Sequence, residues 1–158
     1  MAGHFSMMVD MAAEVMPMNL TPISVIDNPS RDDVSWLDEQ LYAFNAARTG
    51  ITDGRYLAAF VRDQAGQIVA GLYGWTWGNT CEIRTLWVHE HWRASGVGSR
   101  LLQAAEAEAR ARGAQQIVLD THSFQAPDFY HRFGFERIGE LEGYPRGHTK
   151  IFMRKRLR

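Results

Sequence analysis

Residues 93–99 read RASGVGS and stand directly before a long amphipathic segment. The first turn of a helix carries free amide N–H groups and the positive end of the helix macrodipole, so it attracts anions. Gly96 and Gly98 permit a tight turn and let an anion approach the backbone without a Cβ in the way. The pattern favours a phosphate-binding turn, with an ordinary turn as the alternative for so short a motif.

Two familiar phosphate motifs do not fit this stretch. A P-loop requires Gly-Lys-Ser/Thr, but Gly98 is followed by Ser99 and Arg100. A dinucleotide-binding fingerprint requires a third glycine where this chain has Leu101. Asp120, at the end of the next predicted strand, is therefore discounted as a ribose ligand.

The segment after the glycines predicts a helix from about Gly96 to Arg112 that ends at Gly113. Its apolar stripe comprises Val97, Leu101, Leu102, Ala105 and Ala109, and the pairs Glu106–Arg110 and Glu108–Arg112 stand at i,i+4 spacing. An apolar strand precedes the helix over 81–89 and another follows over 117–119. This order predicts a right-handed parallel crossover.

The remaining segments predict a mixed α/β sheet with helices beside it. A weakly alternating strand is expected at Leu20–Ile26, then a helix capped by Ser30 that runs to about Arg48. Further strands are expected at 56–62, 68–77, 135–141 and 149–155, with a short helix from Pro127 to Gly134.

Composition limits the class of protein. The 158 residues fit one domain, and the single cysteine, Cys81, excludes an internal disulfide. No apolar run approaches the roughly 18 residues that span a bilayer, so we expect a cytoplasmic protein. The net charge of −1 argues against a nucleic-acid partner. Residues 1–18 hold six of the seven methionines and are expected to be a flexible extension, with the natural start at Met16 or Met18.

Two stretches together resemble a known family. LWVHEHWRASGVGSRLL is similar to motif A of the GNAT N-acetyltransferase superfamily, Arg/Gln-x-x-Gly-x-Gly/Ala, with Arg93, Gly96 and Gly98 in the signature places. FQAPDFYHRFGFERIG resembles motif B, with Tyr130, Gly134 and Phe135 matching. The tail GYPRGHTKIFMRKRL is similar to the ending of small bacterial members. The resemblance is good over 67–157, extends from about residue 20, and does not cover the first eighteen residues.

The resemblance implies a mostly antiparallel sheet of about six to seven strands with a central parallel pair, in a domain over 19–158. It also implies acetyl-CoA as co-substrate and no metal. The amides of residues 93–99 would hold the pyrophosphate, and the end of the preceding strand would pair with the pantetheine arm as a strand does. The implied coenzyme-binding residues are Leu86, Trp87, Val88, Arg93, Ala94, Ser95, Gly96, Val97, Gly98, Ser99 and Phe129.

The resemblance further implies attack of a primary amine on a thioester. Tyr130 would return a proton to the leaving thiolate, although a core aromatic is the alternative for this residue. Glu82 is the first choice for the base, directly or through water, and Glu90 is the alternative. His89, His91, His122, His131 and His148 lack metal-ligand spacing and are interpreted as loop or surface residues.

The acceptor is expected between the loops at 49–55 and 144–148, and its identity stays open. Trp75 and Trp77 share a strand face and form either core or one wall of the acceptor pocket. A homodimer through the apolar C-terminal strand is expected. The alternative function is a noncatalytic acyl-CoA-binding or sensing domain, and the presence of Tyr130 favours the enzyme. A third possibility is a toxin-like member that acetylates aminoacyl-tRNA, and the net charge of −1 argues against it because such a partner favours a basic surface.

Overall fold

The computed structural model describes residues 20–158. The predicted N-terminal extension, with Met16 and Met18, lies outside the described residues. The chain divides into a first unit that ends at Asp38 and a second unit, Glu39–Arg158. Within residues 20–158, no helix combines the length and the apolar character that crossing a membrane requires.

The first described segment differs from its prediction. Residues 20–26 form no strand, so the predicted opening strand is wrong. Pro22 has no N–H to donate to a ladder, and the weak alternation gives little preference for one face. The helix that follows, α1 (Arg31–Thr49), agrees with its prediction. Ser30 caps it, because its Oγ accepts a hydrogen bond from the Asp33 N–H at 3.0 Å.

The rest of the chain forms one six-stranded sheet with helices beside it. The strands are β1 (Arg55–Arg62), β2 (Ile68–Trp77), β3 (Thr80–Val88), β4 (Gln116–His122), β5 (Glu136–Glu142) and β6 (Thr149–Arg156). The helices of this part are α2 (Val97–Ala111) and α3 (Pro127–Arg132), and a 3₁₀ turn spans Glu90–Trp92.

The strand order is β1-β2-β3-β4-β6-β5, with β3 and β4 parallel and every other neighbouring pair antiparallel. The predicted fold class is confirmed.

Helix α2 covers one face of the sheet with its apolar stripe. Leu101, Leu102, Ala105 and Ala109 are all buried, as predicted, whereas Val97 in the first turn is half-buried. Burying one leucine side chain contributes roughly 1.5–3 kcal/mol, so this stripe anchors the helix. Outside this stripe of α2, Glu106 pairs with Arg110 at 2.8 Å and Glu108 pairs with Arg112 at 2.7 Å. The two predicted i,i+4 pairs are therefore present.

A β-bulge in the centre of the sheet separates β3 from β4. Tyr73 pairs with Thr85 and Gly74 with Ile83, which leaves Arg84 as an extra residue in β3. A methyl group on Gly74 would overlap the carbonyl oxygen of Glu82, so the close approach of the strands here requires glycine. The parallel pairing of β3 with β4 ends at Ile83 and Leu119. Because a bulge bends its strand, β3 departs from β4 beyond this point.

Candidate active site

The turn before α2 has the backbone geometry of an anion-binding site. Gly96 is the N-cap in a left-handed conformation, φ 83°, and supplies no side-chain cap for the first amides of the helix. Ala94 also has a positive φ of 59°, which is uncommon for a residue with a Cβ. Alternation of left-handed and ordinary conformations turns successive N–H groups toward one concavity. The Ser95 hydroxyl is used within the turn, where it donates to the Trp92 carbonyl at 2.5 Å.

The Arg93 side chain turns back onto the strand before it. Its Nε donates to the carbonyl oxygen of Val88 at 3.1 Å. This bond ties the end of β3 to the turn, and it takes one of the two acceptor positions of a carbonyl predicted to face the pantetheine arm. A direct contact of the guanidinium with phosphate stays a prediction.

Four of the predicted coenzyme-binding residues converge at the start of α2. A methyl group on Gly98 would lie 3.6 Å from Val88 Cγ2, 3.7 Å from Phe129 Cζ and 3.9 Å from Leu86 Cδ2. The missing side chain of Gly98 therefore leaves room for about one methyl group between β3, α2 and α3. Trp87 lies between Leu86 and Val88 in sequence and is 45% exposed, so it does not share their packing against the core.

Tyr130 lies in α3 and packs against Phe129. Its side chain is 9% exposed, and its ring centroid is 5.1 Å from that of Phe129 and 5.8 Å from that of Phe135. Burial raises the pKa of the Tyr130 phenol, and the negative charge of Asp120 raises it further. The phenol is therefore protonated throughout the neutral range, as a proton donor must be.

Glu82 lies on β3 just before the bulge and is held by two donors. The Trp75 indole N–H donates to its Oε2 at 3.0 Å, and Arg84 Nη1 donates to its Oε1 at 2.8 Å. Partial burial raises the pKa of the Glu82 carboxyl, but these hydrogen bonds and the charge of Arg84 outweigh that effect, so the pKa lies below its ordinary value. Glu82 is thus a carboxylate at neutral pH with little tendency to hold a proton.

The two tryptophans of β2 line the same face of the sheet as Glu82. Trp75 and Trp77 are half-buried, with ring centroids 6.3 Å apart. The Trp77 indole donates to the Ile51 carbonyl at 2.9 Å, which attaches the 49–55 loop to the sheet. Their partial exposure favours the wall of a pocket over core.

The alternative base lies on an exposed turn, and the histidines are spread over several elements. Glu90 opens the 3₁₀ turn with 72% of its side chain exposed. The His89 and His91 rings are 4.9 Å apart, while His131 Nδ1 lies 3.0 Å from the Phe135 carbonyl oxygen. Among residues 20–158, no three His, Cys, Asp or Glu side chains come together as a metal site.

One group of residues near the site was not predicted from the sequence. Asp120, discounted as a ribose ligand, faces Lys150 at 3.1 Å, and the Lys150 ammonium lies 5.6 Å from the ring centroids of Tyr144 and of Phe152. The sequence contained one indication of this group, because Asp120 is an acidic residue that directly follows the continuous apolar run of a central strand. Its partners come from the β5–β6 loop and β6, which sequence spacing does not connect to β4.

Known proteins resemble this chain in sequence and in fold. The model of the acetyltransferase (GNAT) family matches residues 20–135. An acetyltransferase of Agrobacterium fabrum is 35% identical over 118 residues, which cover 75% of this chain and 86% of that protein. Blasticidin-S acetyltransferase of Streptomyces morookaense is 35% identical over 128 residues, 76% of this chain and 92% of that protein.

Among solved structures, an acetyltransferase from Bacillus cereus superposes with a TM-score of 0.69 at 31% identity, covering 85% of this chain and 98% of that one. The family match spans both the glycine turn and Tyr130. The chain belongs to the GNAT family of acetyltransferases and is an acetyl-transferring enzyme.

Proposed function

We propose that this enzyme transfers the acetyl group of acetyl-CoA to a primary amine by direct attack of the amine on the thioester. One observation carries the proposal: the glycine turn, which leaves the first amides of α2 without a side-chain cap, adjoins Leu86, Val88 and Phe129, and Phe129 packs against the buried ring of Tyr130. This arrangement suits a ligand with an anionic head, an extended arm and a reactive sulfur.

The residues around the turn match the chemistry of the coenzyme. The first amides of α2, without a side-chain cap, would bind the pyrophosphate, assisted by the helix dipole. Beyond Ile83, β3 no longer pairs with β4, so its backbone groups there are free of that neighbour. An amide-containing arm such as pantetheine would satisfy them as an additional strand does.

The two faces of β3 suggest how the reactants are separated. Leu86 and Val88 pack toward the core that contains α2, whereas Glu82, Trp75 and Trp77 lie on the other face. We infer that the amine approaches from the face that carries Glu82, while the sulfur leaves on the side of Tyr130. The gap between β3 and β4 would connect the two.

Two side chains, Glu82 and Tyr130, are proposed to move the protons of the reaction. An amine with a pKa of about 10 is almost wholly protonated at neutral pH and must lose a proton before it attacks. Since the pKa of Glu82 is lowered, we propose that this carboxylate orients a water that relays the proton rather than retaining it. Tyr130, which its raised pKa keeps protonated, donates its proton to the departing thiolate, and the second proton that the attacking nitrogen loses as the amide forms restores the phenol.

The proposed function is tested by removing the phenol oxygen of Tyr130. Tyr130→Phe is expected to retain acetyl-CoA binding, measured by calorimetry, and to lose about 10²–10⁴-fold in turnover, the usual contribution of general acid–base catalysis. Tyr56→Phe removes a phenol that is 77% exposed on β1 and serves as the matched control. Undiminished CoA release by Tyr130→Phe with an accepted amine would contradict the assignment.

Two further expectations remain proposals. We place the enzyme in the cytoplasm, in keeping with its single, buried cysteine. A homodimer also stays a prediction, but the C-terminal strand β6 lies between β4 and β5 and has no free edge. Contact between copies through this strand would therefore use its face rather than its edge.

A further inference from the structure

Asp120 lies where the central strands separate. It is the first residue of β4 beyond the last parallel pair with β3, Ile83 and Leu119. Its neighbours Leu119 and Thr121 are 6% and 2% exposed, whereas the Asp120 side chain is 38% exposed, so it points away from the core that they fill. Asp120 is thus a partly exposed carboxylate at the gap through which acceptor and thioester would meet.

Asp120 forms an ion pair with the Lys150 ammonium, which also lies beside two aromatic rings. Lys150 Nζ lies 3.1 Å from Asp120 Oδ2 and 5.6 Å from the ring centroids of both Tyr144 and Phe152. A carboxylate together with two aromatic rings is the usual composition of a binding site for an organic cation. The occupant in this structure is a primary amine that belongs to the chain itself.

The neighbouring rings extend this site. The His122 ring centroid lies 5.9 Å from that of Tyr144 and 5.3 Å from that of Phe124, with an angle of 26° between the planes of His122 and Phe124. These rings offer flat surfaces beside the cation position. An amine whose stem carries a planar or apolar group would contact them.

We propose that Asp120, Tyr144 and Phe152 bind the ammonium group of the acetyl acceptor and that Lys150 occupies this position until the acceptor arrives. The inference rests on the proposed function and specifies its substrate class, cationic primary amines with a planar or apolar stem. The side chains of Lys150 and Asp120 are 23% and 38% exposed, so solvent reaches the pair and weakens it, and the acceptor's ammonium can replace that of Lys150 while keeping the same charge contact. Lys150 is accordingly an internal competitor.

Two variants with opposite expected effects test this assignment. Tyramine is the probe, 4-ethylphenol is its uncharged analogue, and binding to the full chain is followed by calorimetry. Asp120→Asn should weaken tyramine binding by about tenfold or more, the usual loss for a hydrogen bond to a charged group. Lys150→Met removes the competitor and should strengthen tyramine binding several-fold, while Lys150→Arg keeps a cation and should not.

Glu136→Gln is the matched control. Glu136 pairs with Arg154 of β6 at 2.7 Å, and loss of this carboxylate should leave tyramine affinity unchanged. Melting temperatures of all variants show whether each one is folded. If Asp120 and Lys150 formed a purely structural pair, both substitutions would change affinity in the same direction, and that result overturns the inference. Failure to bind tyramine, or equal affinity for 4-ethylphenol, does so as well.

The binding readout separates this inference from the proposed function. Tyramine binding that depends on Asp120, without CoA release from acetyl-CoA, would refute amine acetylation while the cation site stands. Release of CoA with amines whose KM is unaffected by Asp120→Asn would refute the cation site while the proposed function stands.

Discussion

Gly98 allows the start of α2 to approach β3 and α3 closely. Its neighbours Leu86, Val88 and Phe129 come from β3 and α3, and each would be in ordinary van der Waals contact with an added methyl group. The glycine is therefore not required for folding of the described chain. It is required if a ligand must approach the helix backbone at this point.

Gly98→Ala should separate binding from stability. The added methyl group meets no clash, and alanine favours a helix over glycine by up to about 1 kcal/mol, so the melting temperature should hold or rise. We expect acetyl-CoA affinity to fall at least about tenfold if the coenzyme binds between Gly98 and its neighbours on β3 and α3, because the methyl group would occupy that position. Calorimetry of coenzyme binding and thermal unfolding are the two measurements.

Gly113→Ala, at the other end of α2, provides the comparison. Its φ of 83° strains any residue with a Cβ, so this variant should lose stability and keep its coenzyme affinity. Unchanged acetyl-CoA binding by Gly98→Ala would show that the coenzyme does not use this space.

At the scale of elements, the bulge at Arg84 decides where the sheet opens. It lies one residue beyond the last parallel pair of β3 with β4, so the strand bends where the two separate. Glu82 comes just before the bulge, and Leu86 and Val88 come after it. The proposed proton relay and the backbone proposed to bind the coenzyme thus lie on one strand, on either side of the bulge.

Gly74→Ala should disturb this arrangement. The new methyl group would overlap the Glu82 carbonyl oxygen, a backbone atom that cannot move without its strand. We expect a loss of roughly 1–3 kcal/mol in the free energy of unfolding, measured with urea, as for other overpacked sites. Gly139→Ala in β5 is the control, since its methyl group would only touch Phe152 at 3.8 Å. Equal stability of the two variants would mean that the bulge does not depend on Gly74.

At the scale of the whole molecule, the reactivity of the Cys81 thiol indicates whether the sheet is folded. It is fully buried in β3 and pairs with Thr76 of β2 and Ile117 of β4. Burial raises the pKa of its thiol to about 11, despite the opposing charge of Arg112. Since the thiolate is the reactive form, native Cys81 is expected to be inert toward alkylation.

Alkylation of Cys81 should therefore require global unfolding, and the free energy of unfolding should decrease at alkaline pH. Iodoacetamide should label Cys81 only as urea unfolds the protein, which mass spectrometry of the peptide detects. The folded pKa of about 11 exceeds the ordinary 9.0, so this group stabilises the fold fully below pH 9.0 and loses its contribution as the pH rises toward 11.

Tyr130, whose pKa is raised above 10.0, acts in the same direction at higher pH. Cys81→Ala should remove the part of the alkaline loss that begins near pH 9.0. Rapid labelling of Cys81 without denaturant would contradict this account of the sheet.

The sequence alone determined what depends on neighbouring residues. The Ser30 cap, the apolar stripe of α2 and the glycine turn before it were all predicted, because caps, helical periodicity and left-handed turns involve residues within a few positions. The strands from residue 55 onward and the central parallel pair also followed from element order.

Tertiary structure decided what depends on residues distant in the chain. The bulge at Arg84 requires the approach of Gly74, and the ammonium beside Asp120 comes from Lys150, thirty positions later. The same dependence explains why Leu20–Ile26 is not a strand. A strand forms only when another backbone is in register to accept and donate its hydrogen bonds, and no pattern within seven residues encodes that partner.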